Sequence, residues 1–125
     1  MKFKRIMSAL LTLTLLLSCI CIYASAESES YTGVYNGKNY YASAYAAKDE
    51  LRVYLTYADS SAKLRIEAAY KYENQRGIIQ SSSFVSAGKA STGASKFPQD
   101  IKEFVSMTPS YLINGNLVLK FTVSA

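Results

Sequence analysis

Two runs of strict alternation in the middle of this 125-residue chain constrain its fold more than any other feature. Between positions 51 and 58 the odd residues are Leu51, Val53, Leu55 and Tyr57, with Arg52 and Thr56 standing between them. Between 62 and 73 the even residues are Leu64, Ile66, Ala68, Tyr70 and Tyr72, interleaved with Lys63, Arg65, Glu67, Lys71 and Glu73. A period of two puts every second side chain on the same side of an extended strand, so each run has one face for a core and one for water. Asp59-Ser60-Ser61 separates the runs with turn residues, which predicts a hairpin. Pairing Asp59 with Ala62 then sets Tyr57 opposite Leu64, Leu55 opposite Ile66, Val53 opposite Ala68 and Leu51 opposite Tyr70. The same register places Tyr54 opposite Glu67 and Thr56 opposite Arg65 on the wet side, and a slip of one residue would invert every choice.

Turn chemistry places the other strands. Asn36-Gly37 lies between 31–35 and 38–47, and Asn114-Gly115 between 111–113 and 116–124; Asn-Gly suits two-residue hairpins because both central positions need positive φ. In the last strand Leu117, Leu119, Phe121 and Val123 are expected inward, Lys120 and Thr122 outward. Asn74-Gln75-Arg76-Gly77 leads into a Ser-rich run, 78–89, read as an edge strand or partly loop. One segment has helical spacing: Phe97, Ile101, Phe104 and Val105 fall at i, i+4, i+7 and i+8, with Pro98 and Asp100 suited to a helix start before Pro109. The expected fold is all-β and mainly antiparallel, a small sandwich or barrel of six to seven strands with one short helix.

The N-terminus has a different character. Lys2, Lys4 and Arg5 precede an uncharged stretch from Ile6 to Ala26 that closes on Ala24-Ser25-Ala26. Positive, apolar, then small-x-small is the order of a secretory signal peptide, so residues 1–26 are expected to be cleaved after Ala26, leaving 27–125 as one small extracellular domain. Two alternatives compete. The apolar run is long enough to remain as an anchor, although Ser8, Thr12, Thr14 and Ser18 dilute it; and Leu16-Leu17-Ser18-Cys19 approximates a lipobox that would make a lipoprotein acylated at Cys19. Cleavage removes both cysteines and three of the fourteen cations, leaving eleven cations against nine acids. No basic stripe for nucleic acid remains. The domain must therefore hold together by apolar burial and backbone pairing, without a disulfide.

The chain contains no histidine, and with the cysteines gone Ser-His-Asp and Cys-His nucleophile systems and ordinary zinc or copper sites drop out. No EF-hand pattern offers calcium a loop. Ser86-Ala87-Gly88-Lys89 matches a Ser-x-x-Lys core, but its companion motifs are missing, and the same run imitates a phosphate loop only at its end; a polar edge strand explains both. A carboxylate pair for glycoside hydrolysis would have to come from Asp49, Glu50, Asp59, Glu67, Glu73, Asp100 and Glu103, which read better as solvated charge. No cofactor is expected.

Tyrosine is the one unusual investment: ten of eleven follow residue 26, nine of them between Tyr31 and Tyr72, and tryptophan is absent. A large flat face with a hydroxyl at its tip suits an interaction surface. Tyr70 and Tyr72 belong to a buried face by alternation. Tyr31, Tyr35, Tyr40, Tyr41, Tyr45 and Tyr54 are the candidate binding patch, with Tyr41 and Tyr45 on one face of their strand, Tyr40 on the other, and Tyr54 outward. The expected function is a secreted, non-enzymatic bacterial interaction domain whose Tyr-rich sheet surface meets an extracellular protein, peptide or glycan. A small bacteriocin-like antibacterial protein is the alternative, and a small carboxylate-based hydrolase the remote one.

Overall fold

A computed structural model describes residues 26–125. The leader, the lipobox at Cys19 and Ala24 of the cleavage site lie outside the described residues, which contain no helix long and apolar enough to cross a membrane.

Nine strands follow in order: β1 (Glu27–Tyr35), β2 (Lys38–Ala47), β3 (Glu50–Tyr57), β4 (Lys63–Asn74), β5 (Ile79–Lys89), β6 (Ser91–Lys96), β7 (Ile101–Ile113), β8 (Asn116–Lys120) and β9 (Val123–Ser124). All pairings are antiparallel. They make two sheets, β1-β2-β3-β6 and β5-β4-β7-β8, with β9 also on β7. The fold is thus all-β and consistent with a sandwich rather than a single closed barrel. The two Asn-Gly hairpins form as expected, with φ of 49° and 76° at Asn36 and Gly37 and 50° and 83° at Asn114 and Gly115.

Burial follows the alternation. Leu51, Val53, Leu55 and Tyr57 on β3 and Leu64, Ile66, Ala68 and Tyr70 on β4 are all buried, together with Ala42, Ala44 and Ala46 on β2. The expected β3–β4 hairpin does not form. β3 pairs with β2 and β6, β4 with β5 and β7, so the two apolar faces meet across the core instead of lying side by side in one ladder. Tyr54 stands opposite Ser43 and Gly93, not Glu67, and Thr56 opposite Tyr41 and Ser91, not Arg65. Fully alternating strands gain more by facing each other, since every apolar side chain then loses its water.

Asp59 makes that sheet-to-sheet turn. Its carboxylate accepts from the Ser61 hydroxyl (2.7 Å) and backbone N–H (3.0 Å) and from Lys38 Nζ (3.1 Å), and these bonds, the Ser61 pair first, hold its pKa down at about 2. A depressed carboxyl stabilises the fold above its unfolded pKa of about 3.9 and loses that contribution as pH falls towards 2. The Tm advantage of the wild type over Asp59→Asn is therefore expected to narrow between about pH 5 and pH 2 in thermal melts.

No helix forms among the described residues. The segment expected to be helical divides into exposed Phe97, a bend in which Asp100 adopts φ 60°, and the first residues of β7. Two β-bulges explain the misreading. Against β4, Tyr72 pairs with Phe104 but Tyr70 with Met107, and Asn74 with Ile101, so β7 carries two extra residues. Its core-facing positions run 101, 104, 107 before settling to 109, 111, 113, so Ile101 and Phe104 keep a helix-like spacing of three; Val105 is the extra, unpaired residue beside Phe104, and Phe97 lies outside the strand. A third bulge, on β8, corrects another expectation: Leu119 pairs with Tyr111 but Leu117 with Leu112, which leaves Leu117 exposed on the outer face. Buried Pro109 lies opposite Ala68, beside the break between β8 and β9, where its missing N–H has no ladder partner to lose.

β6 has no clear signal in the sequence. It follows β5 after the single residue Ala90 (φ 65°) and crosses to the other sheet. Ser86 fastens this corner, donating to Gly93 O (3.0 Å) and lying 2.6 Å from Thr92 Oγ1. That is a structural use for the serine of the Ser-x-x-Lys match.

Candidate functional site

The outer face of the β1-β2-β3-β6 sheet can be written down row by row from its register. Thr32, Tyr41, Thr56 and Ser91 form one row, Ser30, Ser43, Tyr54 and Gly93 the next, and Ser28, Tyr45, Arg52 and Ser95 the third. Three aromatic rings thus stand among hydroxyls and one glycine. The single charged position, Arg52, lies over the Tyr45 ring with its guanidinium carbon 4.3 Å from the centroid, and its Nε is 3.3 Å from Glu50 Oε2.

Tyr41 and Tyr54 meet edge to face, with centroids 6.4 Å apart and planes at 60°. Tyr54 is able to lie across the sheet because its partner on β6 is Gly93, where an added Cβ would stand 3.0 Å from Tyr54 Cδ2. Between Tyr41, Tyr45 and Tyr54 lies an open cleft of about 600 Å³, floored by Ser43 and edged by Ser28, Ser30 and Ser95. A second cleft of about 610 Å³ runs from the other side of Tyr41 over Thr32, Val34, Asn39 and Thr56. Tyr41 is the ridge shared by both.

The face is supported from below. Tyr111 of β7, wholly buried, reaches across the core and donates its hydroxyl to Ser43 O at 2.6 Å. Burial pushes the phenol pKa well above its usual value, so the hydroxyl stays a donor at any physiological pH.

The six candidate tyrosines divide in half. Tyr41, Tyr45 and Tyr54 share the outer face. Tyr31, Tyr35 and Tyr40 face the other way and do not join them. Tyr31 packs on Phe121 (4.8 Å) at the sheet margin and donates to Glu29 (2.7 Å), a bond to a carboxylate that raises its pKa. Tyr35 lies against Tyr57 (6.1 Å), whose hydroxyl donates to Tyr35 O, and its own hydroxyl accepts from Asn116 (2.7 Å). Tyr40 packs against the core over the backbone of Gly33. The sequence reading missed Ser43 and Arg52, although alternation with Tyr45 and Tyr54 would have put both on this face. It had no route to Gly93, because β6 was not foreseen.

Five of the seven candidate carboxylates are paired with a cation: Asp59 with Lys38, Glu103 with Lys48, Glu50 with Arg52, Glu67 with Arg65 and Glu73 with Lys102, Asp49 and Asp100 being the other two. Glu73 and Glu103 do stand opposite each other in the β4–β7 register, each offset by its lysine. The cleft beside Phe97 is lined by one acid, Asp100, and the cleft over Ala69 by one, Glu67. Among the described residues no three of Asp, Glu, His and Cys come together as a metal site would need. No protein family, curated protein or solved structure matches the chain, so the site is read from its geometry alone.

Proposed function

We propose that the chain is an exported bacterial protein whose 27–125 domain is a non-enzymatic binding module, and that its ligand is a neutral glycan held on the Tyr41–Tyr45–Tyr54 face. The observation that carries this reading is the pair of clefts meeting at Tyr41, lined by rings and hydroxyls with one internally paired charge. Each is within the roughly 300–1,000 Å³ of small-ligand sites. The two clefts follow one another along β2, from Tyr45 past Tyr41 to Asn39, which suits a narrow chain lying along the strands better than a broad protein surface. A sugar ring presents apolar C–H faces that rest on aromatic rings, and equatorial hydroxyls that exchange hydrogen bonds with Ser, Thr and Tyr; such neutral contacts avoid the cost of desolvating charge.

The test is co-sedimentation with insoluble neutral polysaccharides, such as cellulose, chitin, β-1,3-glucan and starch, followed by titration with oligomers of whichever is retained. Retention of the wild type on at least one polymer, weakened by Gly93→Val, is expected, because the larger side chain displaces the Tyr54 ring. Retention on none, or retention that Gly93→Val leaves unchanged in a folded protein, contradicts the reading.

A further inference from the structure

The second sheet has an edge unlike the others. Among the described residues, β5 pairs with β4 on one side and with no strand on the other. From Ile78 to Gly88 it carries no charge and no proline. Edge strands ordinarily carry charges, prolines or bulges that stop them pairing with another chain. The other edges have such protection: β1 carries Glu27 and Glu29, β8 is bulged and ends at Lys120, and β6 is short and lies against the β5 corner. On β5, by contrast, Ile79 through Ser83 are all exposed, and Ile79 and Val85 project apolar side chains on the outer face, each about half exposed, opposite Glu73 and Glu67 of β4.

The sequence of this edge is self-complementary about Ser82. A twofold axis there pairs Ile79 with Val85 of a second copy twice over, Gln80 with Phe84, and Ser81 with Ser83. The nearest charges, Arg76 and Lys89, fall opposite Gly88 and Gln75, so no like charges meet. Both apolar pairs lie on one face, the arrangement that stabilises antiparallel neighbours. We infer that β5 pairs with β5 of a second copy of this chain, centred on Ser82, joining the two β5-β4-β7-β8 sheets into one. The inference is independent of the ligand reading, since β5 lies in the other sheet. It does have a consequence for that reading: a dimer carries two Tyr faces and holds a repeating ligand at two points.

Sedimentation equilibrium of the full chain tests it. A monomer–dimer equilibrium is expected at roughly 0.1 mM, the scale of a weak association. Ile79→Lys and Val85→Lys, both at exposed positions away from the Tyr face, are each expected to weaken the dimer about tenfold without lowering Tm, because each removes both apolar pairs. The double variant Ile79→Lys/Val85→Glu places opposite charges across the axis and is expected to recover most of the loss. A wild type that stays monomeric, single variants that dimerise as before, or a double variant no tighter than the singles would each overturn the inference.

Discussion

Replacing Phe104 by alanine is expected to cost about 3–5 kcal/mol, while the same change at Phe97 costs less than about 0.5 kcal/mol. Phe104 is 1% exposed, meets Tyr70 edge-on at 5.7 Å and stands opposite Tyr72, so truncation leaves a cavity walled by rings that the two sheets hold in place. Phe97 is 58% exposed, outside the strand and ahead of the bend at Asp100. On a helix spanning this segment the two phenylalanines would share a buried face and their losses would be similar. In a domain of about 100 residues the Phe104 loss lowers Tm by more than about 10 °C, readily seen by circular dichroism or calorimetry. Equal losses at the two positions would contradict the bulged strand.

The second large effect concerns the binding face. Tyr54→Ala is expected to weaken glycan binding by about 30-fold or more, the loss of at least about 2 kcal/mol typical of a central aromatic anchor. Tyr54 lies mid-sheet, against Tyr41 and over Gly93, where it walls the cleft that Tyr41 and Tyr45 also line, so a ligand seated there must touch it. At 43% exposure its side chain contributes little to the core, so Tm should barely move. Tyr31→Ala is the control: Tyr31 is similarly exposed, at 42%, but packs on Phe121 away from the face, and its removal should leave affinity unchanged. Isothermal titration with the oligomer selected by co-sedimentation reads both. Equal losses for Tyr54→Ala and Tyr31→Ala would mean that the outer face is not where the ligand sits.

How far the sequence carried depended on whether a signal was local. Alternation at 51–57 and 64–70 is local, and it identified the buried side of β3 and β4 residue by residue, with Tyr72 at the end of the run only partly buried. The Asn-Gly turns are local too, and both hairpins formed. Pairing is not local. Asp59-Ser60-Ser61 chemistry satisfies a tight hairpin and a sheet-to-sheet turn equally well, and what decided between them was the total apolar area that two facing strands cover, a property of the whole chain. Bulges defeat period counting for a related reason. One extra residue shifts a strand by half a period, so Ile101 and Phe104 acquired helical spacing while remaining on one side of a sheet, and Val105, the unpaired bulge residue, extended the false pattern.

The candidate site shows the same division. That Tyr41, Tyr45 and Tyr54 share an orientation was readable from strand parity, and the register brings their three rings around one cleft. Tyr31, Tyr35 and Tyr40 were grouped with them by density along the chain, yet parity sends all three to the opposite side of the same sheet. Gly93, which gives Tyr54 its place, arrives from a strand whose six residues Ser91–Lys96 contain no large apolar side chain to announce it.

The most direct test of the account is to map the ligand by NMR, titrating the labelled protein with a soluble oligomer of the retained polysaccharide and following backbone amides and tyrosine rings. Binding on the proposed face predicts shifts concentrated at Tyr41, Ser43, Tyr45, Arg52, Tyr54 and Gly93, with Tyr31, Tyr35 and the β5 edge unmoved. Shifts centred on any other surface, or none at saturating oligomer, would contradict it.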